Sequence, residues 1–242
     1  ATETDPSFAI AARNVGFGYG CLNDLEKSIK YYDRAINANP NDPLLLTESD
    51  KIYEQANIPT DQRLKRLESH LKTVMKHDDA VMRLLTLYNA ESKYDKSIKI
   101  LNTRHFHLWE GGGQVHDIYA DSHILKGMQF LKRKQYKEAI REFDLANQYP
   151  SNLEVAPSPN GGYEAKIYYL SGIAYEAMKQ TDKAKICFEK SADTHFRSHL
   201  TDLNYYKIKS LRKLNRNGEA DVALSNMQKT LERILRNPTD SY

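Results

Sequence analysis

The segment with the most chemical potential lies near the middle of the chain, at residues 104–113, and reads RHFHLWEGGG. Trp109 and Phe106 could stack on a ring or a sugar face, and the three glycines would allow close backbone approach. The side chains that could make polar contacts to such a ligand are Arg104, His105, His107 and Glu110. Alternatively, the aromatic rings fill an apolar gap between helices while the glycines turn the chain. The sequence leaves both interpretations open.

Histidines surround this segment without forming a metal motif. His105, His107, His116 and His123 lie near Asp117, but their spacing matches no HExxH or comparable ligand pattern. We therefore expect no metal and no cofactor. The run Gly16-x-Gly18-x-Gly20 looks like a phosphate loop, but no strand precedes it, so we assign it no phosphate-binding role.

The carboxylates do not indicate hydrolysis. Glycoside or acyl hydrolysis needs a nucleophile beside a base, or two carboxylates held apart by a rigid frame. Glu138, Glu142, Asp182 and Glu189 instead alternate with Lys and Arg along helix faces, which is typical of a solvated surface. We therefore expect no enzyme activity from this chain.

Composition excludes several classes of partner. The 242 residues include 35 Lys and Arg and 32 Asp and Glu, giving a net charge of +3 with the signs interspersed, so we expect no nucleic-acid partner. No apolar run approaches the ~18 residues that a membrane span needs. Cys21 and Cys187 are expected to be buried free thiols, without a disulfide or zinc site. These features favour a soluble chain that is cytoplasmic rather than secreted.

The residues from Asp117 to Pro150 indicate how the chain is built, since they read as a complete pair of helices. Gly127 costs a helix roughly 1 kcal/mol relative to Ala, so it predicts a close crossing with a second helix. Ala139 and Ala146 lie two turns apart on one face of that second helix and are the expected partners. Phe143 supplies the bulk between them.

This order of small, aromatic and terminating residues resembles a tetratricopeptide repeat. The same order recurs at Gly16, Tyr32 and Ala35, at Gly172, Ala184 and Phe188, and again at Ala220. The second helices have bulky anchors at Tyr32, Leu67, Leu101, Phe143, Phe188 and Leu224. Most anchors are spaced near the expected period of about 34 residues. The two longer spacings contain the two interruptions of the pattern.

The sequence thus predicts an all-α fold, a right-handed α-solenoid of about six tetratricopeptide-like helix pairs. We divide it into a disordered lead at 1–6, three repeats at 7–103, a Gly-rich insertion at 104–116, and three further repeats at 117–242 with an insertion at 151–162. The two insertions occupy equivalent junctions, so we expect them to be neighbours beside the groove. Helices are expected at 8–21, 24–38, 43–55, 60–76, 79–90, 94–103, 163–178, 181–193, 202–214 and 217–236. Thr60 is the expected N-cap of its helix.

Several segments resemble a more specific family. They are residues 104–112 and 149–153, reading RHFHLWEGG and YPSNL, and residues 53–59 and 88–89, reading YEQANIP and YN. They are similar to the repeat region of large bacterial proteins that contain, upstream, a domain of unknown function related to galactose mutarotases. The similarity covers most of residues 43–214. It implies that the chain is a fragment of a longer polypeptide, and that the upstream domain is a possible partner.

The leading functional hypothesis is a non-catalytic scaffold that binds a protein or peptide. In such arrays the first helix of each pair lines the concave side, which here places Arg13, Phe17, Met82, Thr86, Ile124, Met128, Tyr169 and Ile173 along the groove. These residues differ from the Lys and Asn with which some tetratricopeptide proteins hold a terminal carboxylate. The alternative hypothesis is a carbohydrate-related accessory region that contacts a saccharide or the upstream domain through the Trp109 loop.

Overall fold

The structure, a computed structural model, describes residues 6–107, 114–157, 162–195 and 201–236. Over these ranges the chain forms 13 α-helices and one short 3-10 helix, and no β-strand is present in them. The predicted all-α class is therefore confirmed. The chain divides into two compact units, residues 1–118 (unit 1) and residues 119–242 (unit 2).

Unit 1 consists of three helix pairs. Its helices are α1 (Pro6–Cys21), α2 (Leu25–Ala38), α3 (Pro43–Gln55), α4 (Thr60–Ser69), α5 (Leu71–Val74), α6 (Asp78–Ala90) and α7 (Tyr94–Thr103). Local chemistry explains where several of them begin. The Asp42 carboxylate accepts a hydrogen bond of 2.9 Å from the Leu44 amide, and Pro43 occupies the first turn of α3. Asp24 caps α2 in the same way through the Lys27 amide.

The second helix of the second pair differs from the prediction. Instead of one helix from residue 60 to residue 76, the chain breaks at His70, between α4 and α5. The Ser69 hydroxyl donates to the Arg66 carbonyl at 2.7 Å, which offers that backbone group a partner outside the helix ladder. After the break, the Leu71 side chain is 40% exposed. Thr60 is not the N-cap either, because Pro59 holds that position and the Thr60 hydroxyl donates to Glu91.

Unit 2 contains the remaining pairs. Its helices are α8 (Gln114–Lys132), α9 (Tyr136–Ala146), α10 (Glu164–Ala177), α11 (Thr181–Ala192), α12 (Asp202–Lys213) and α13 (Asn217–Arg236), with the 3-10 helix at Ser151–Leu153. The first residues of α8 still belong to unit 1. One buried cluster joins α8, α9 and α10, and it comprises Ala120, Ile124, Ala139, Phe143, Ala146, Ile167 and Leu170. The prediction that Leu224 is a buried anchor is wrong, since its side chain is 42% exposed. Ala220 of the same helix is buried.

Two predicted boundaries also shift, one at the Gly-rich insertion and one at the lead. Helix α8 begins at Gln114, so the Gly-rich insertion ends earlier than residue 116, and α1 already begins at Pro6. The expected contact between the two insertions concerns residues 108–113 and 158–161, which lie outside the described residues.

The same turn joins the two helices of every pair. In each of these turns one non-glycine residue has a φ between 56° and 62°, and the six are Asn23, Asn57, Ser92, Lys134, Lys179 and Asn215. The amide of the following residue donates to the carbonyl five positions earlier, for example Gln135 to Phe130 and Gln180 to Tyr175, both at 2.9 Å. This is the Schellman arrangement that ends a helix in the left-handed region. The helix pair is therefore a structural unit repeated along the described chain.

Glycine lets the two helices of a pair approach closely. A Cβ atom built on Gly127 would lie 2.4 Å from Cε1 of Phe143, and one built on Gly172 would lie 2.5 Å from Cε1 of Phe188. An aromatic ring of the second helix therefore occupies the space that a side chain of the first helix would need. The partner of Gly127 is the Phe143 ring rather than the two flanking alanines, although Ala139 and Ala146 are also buried.

Small residues also line the crossings of the first and fifth pairs, and the approach in the first pair is less close. A Cβ on Gly16 would lie 3.0 Å from the Tyr32 ring, and Ala35, one turn after Tyr32, is fully buried. In the fifth pair Ala184 is buried beside the ring of Phe188. Small residues at these positions allow the ring-bearing helix to lie close to its neighbour.

The cysteines do not both match the expectation. Both thiols are free, but Cys21 is exposed and only Cys187 is partly buried. Cys21 lies one turn after Phe17, which is 59% exposed, so both side chains belong to the outward face of α1. Burial raises the pKa of the Cys187 thiol.

We predict opposite effects for alanine at two helical glycines. Gly127→Ala should lower the free energy of unfolding by about 1–3 kcal/mol, because the added methyl overlaps the Phe143 ring. Gly18→Ala is the matched control, since a Cβ there has no atom within 4 Å. It should raise stability by up to about 1 kcal/mol through helix propensity. Urea unfolding measures both, and stabilisation by Gly127→Ala would contradict the close crossing.

Candidate functional site

Unit 1 contains a concavity lined by successive first helices. It has a volume of about 180 Å³, and we call it the unit 1 groove. Its lining residues are Thr47 and Lys51 from α3, Asp79, Met82, Arg83 and Thr86 from α6, and Gln114 and Ile118 from the start of α8. Met82 and Thr86, one turn apart on α6, were among the groove positions predicted from the sequence. Groove residues from three helices are thus brought together in one surface.

A buried ion cluster fixes one wall of this groove. Asp50 on α3 is 1% exposed and accepts two hydrogen bonds of 2.9 Å from Arg63 and one of 2.7 Å from Arg83. Arg83 also donates to Glu54 at 2.9 Å. The guanidinium of Arg83 is therefore oriented and neutralised by two carboxylates beside the groove. Sequence reasoning missed this cluster, although Asp50 lies one turn after the buried Leu46 and so occupies a core position.

The predicted groove residue Arg13 is also held by a carboxylate. Its Nε donates to Glu48 at 2.7 Å, and a second guanidinium nitrogen contacts the other Glu48 oxygen. The Tyr32 hydroxyl donates to the same carboxylate at 3.2 Å. Burial, together with the nearby Glu48 charge, raises the pKa of Tyr32. Phe17, one turn after Arg13, has an exposed ring. A partner can therefore contact the whole Phe17 side chain, whereas the guanidinium of Arg13 is already bound to Glu48.

The described part of the 104–113 segment has a packing role. Arg104 donates to Asp78 at 2.7 Å and to the Met75 carbonyl at 2.9 Å. Phe106 is fully buried, with the Arg104 guanidinium 5.6 Å from its ring centroid. The hypothesis that Phe106 stacks on a ligand is therefore wrong, because neither ring face is accessible.

The two histidines of this segment are exposed, unlike the buried Phe106 between them. His105 and His107 are exposed, and their ring centroids lie 4.8 Å apart. The His107 amide donates to Asp78 at 2.9 Å, which ties the backbone of the segment to the start of α6. Trp109 and Glu110, the other candidates of this segment, lie outside the described residues.

In unit 2, Tyr169 belongs to an aromatic row that the sequence did not reveal. Its ring centroid lies 5.7 Å from that of Tyr206, which lies 5.3 Å from that of Tyr205. The Lys166 ammonium lies 5.8 Å from the Tyr206 ring centroid, and the Lys209 ammonium lies 5.5 Å from that of Tyr205. We call these five residues the tyrosine–lysine patch. It lies on α10 and α12, the first helices of the last two pairs.

A second buried charge cluster lies between α8 and α9. His123 is 2% exposed, and its Nδ1 is 2.6 Å from Glu142, whose other oxygen accepts from Lys126 at 2.9 Å. Burial alone would raise the pKa of Glu142, but the hydrogen bonds from His123 and Lys126 outweigh it and lower that pKa. The expectation of a solvated Glu142 is therefore wrong. Its charge is compensated inside the helix pair, and the cluster borders none of the concavities described here.

Comparison with known proteins identifies the class. The tetratricopeptide repeat model matches residues 19–42 and 165–193. The crystal structure of MamA protein is similar with a TM-score of 0.53 and 16% identity, over 77% of this chain and 91% of that chain. A tetratricopeptide repeat protein from Parabacteroides merdae gives a TM-score of 0.56 and 14% identity, over 92% of this chain and 80% of that chain.

At these identities the solved structures support the fold alone, and the model matches identify residues 19–42 and 165–193 as tetratricopeptide repeats. The spacing of the glycines and aromatic residues predicts the same repeats. Within the described ranges, every helix is too short or too polar to cross a bilayer.

We predict that the Asp50 cluster is essential for the stability of unit 1. Asp50→Asn should lower the free energy of unfolding by about 3–5 kcal/mol, because it removes the buried carboxylate shared by Arg63 and Arg83 and leaves both with only the half-exposed Glu54. Asp61→Asn is the control, since Asp61 pairs with Lys65 on an exposed helix face, where ion pairs contribute little. Chemical unfolding measures the free energy of unfolding of both variants. Equal effects would contradict the structural role of Asp50.

Proposed function

We propose that this chain is a non-catalytic scaffold that binds an extended segment of a partner protein in the unit 1 groove. One observation supports the proposal most directly. Three successive first helices place accessible side chains around one concavity, including Lys51 from α3, Thr86 from α6 and Gln114 from α8. An extended peptide can contact several such positions in turn, one from each helix.

The groove can contact both apolar and polar side chains of a partner segment. Met82 and Ile118 offer apolar contacts, while Lys51, Asp79 and Gln114 offer donors and acceptors. Arg83 is already bound to Asp50 and Glu54, so it is not free to hold a terminal carboxylate alone. The groove is therefore better suited to an internal segment than to a chain end.

The hydroxyl groups of the groove support a binding role over a catalytic one. The Thr47 and Thr86 hydroxyls each donate at 3.0 Å to a backbone carbonyl one turn earlier on their own helix. A nucleophilic hydroxyl would instead need a general base within hydrogen-bond reach. The partner segment can belong to a separate protein or to another part of the same polypeptide, such as the upstream domain expected from the sequence.

Selection from a random-peptide display library tests this proposal. We expect enriched peptides whose binding is weakened more than about tenfold by Thr86→Trp, because the indole fills the groove. Lys99→Trp, on the exposed face of α7, is the matched control and should leave the dissociation constant unchanged. Isothermal titration measures both variants. Failure to enrich any peptide, or full binding by Thr86→Trp, would overturn the proposed site.

A further inference from the structure

We propose that the tyrosine–lysine patch of unit 2 is a second docking surface, and that it binds an acidic segment with several Asp or Glu side chains. This inference goes beyond the unit 1 groove and does not depend on it. The patch comprises Lys166 and Tyr169 on α10 and Tyr205, Tyr206 and Lys209 on α12.

The two helices present the same pair of chemical groups. Lys166 and Tyr169 are three residues apart on α10, and Tyr205 and Lys209 are four apart on α12, so each pair shares one face of its helix. Tyr206 lies between the two helices and connects their rings through centroid distances of 5.7 and 5.3 Å. Tyr205 is 52% exposed, so the outer end of the row is open to a partner.

The charge of the patch is not neutralised within the described part of the chain. There, neither the Lys166 nor the Lys209 ammonium forms an ion pair with a carboxylate. Lys213, one turn after Lys209 on α12, pairs with Glu176 at 2.6 Å. Asp202 also lies near this patch. Burial is the main reason why the pKa of Tyr206 is raised, and the negative charge of Asp202 is the second. The two lysines therefore leave positive charge available for carboxylates of a partner.

The arrangement of the rings favours acidic side chains over proline or a sugar. The ammonium groups lie over Tyr205 and Tyr206, so the aromatic rings position the cations at the surface. Positioned cations lose less conformational entropy when they bind a carboxylate. Tyrosine hydroxyls add hydrogen-bond donors to the same patch. Two lysines are too few for the phosphate contacts on which nucleic-acid binding depends.

Fluorescence anisotropy with labelled peptides tests the inference on the full chain. The probe is a synthetic peptide of alternating Glu and Ser, with an amidated C-terminus, and its matched control replaces every Glu by Gln. We expect the Glu peptide to bind more than about tenfold more tightly than the Gln peptide. Its binding should weaken at high salt, because exposed charges are screened. Equal binding of the two peptides, or tighter binding of a proline-rich peptide, would overturn the proposal.

Substitutions locate the binding. The Lys166→Gln and Lys209→Gln double variant should weaken Glu-peptide binding more than about tenfold. Lys183→Gln is the matched control, because Lys183 also lies over a tyrosine, 5.5 Å from Tyr175, but on the second helix α11. It should leave the dissociation constant unchanged. An equal loss in both proteins would refute the assignment.

A further comparison separates this surface from the unit 1 groove. Thr86→Trp should not alter binding of the Glu peptide, so the two proposals can fail independently. Tyr205→Ala, which removes the ring beneath Lys209, should weaken the Glu peptide while the helical circular dichroism stays unchanged. Unaltered binding by Tyr205→Ala would contradict the positioning role of the ring.

Discussion

The structure depends on one close contact, an aromatic ring of the second helix inserted where the first helix has a glycine. At Gly127 and Gly172 no side chain larger than hydrogen fits beside Phe143 and Phe188. In these two pairs the contact commits one face of the first helix to its own second helix. In unit 1, side chains of the first helices α3, α6 and the start of α8 line a groove. Residues that face the second helix of a pair are unavailable to a partner.

Sequence patterns predicted this packing because its determinants are local. Helices α3, α7 and α13 begin and end at the residues that the sequence predicts, and at the start of α3 a proline and a capping carboxylate mark the position. The break at His70 was not predicted, since no proline or glycine marks residues 69–71. The left-handed turns were missed because asparagine, serine and lysine hold them, so no glycine marks their position.

The candidate sites were predicted only in part, for a different reason. Met82, Thr86 and Tyr169 follow from their positions on first helices. The partners of Asp50 and Glu142 lie on other helices, so alternation of charge along one helix could not distinguish these buried acids from solvated ones. Phe106 was also assigned wrongly, because the residue type alone does not distinguish a buried ring from an exposed one. Pairing between helices that are distant in the sequence, rather than local pattern, determines whether such acidic residues are buried.

The central claim is that first helices bind partners while second helices hold each pair together. A photo-reactive benzoylphenylalanine at position 86, 99, 183 or 205, introduced singly in cells that produce the protein, tests this claim most directly. Positions 86 and 205 lie on α6 and α12, and positions 99 and 183 lie on exposed faces of α7 and α11. We expect covalent adducts from positions 86 and 205 and none above background from positions 99 and 183. Adducts formed equally from all four positions, or only from the second helices, would contradict it.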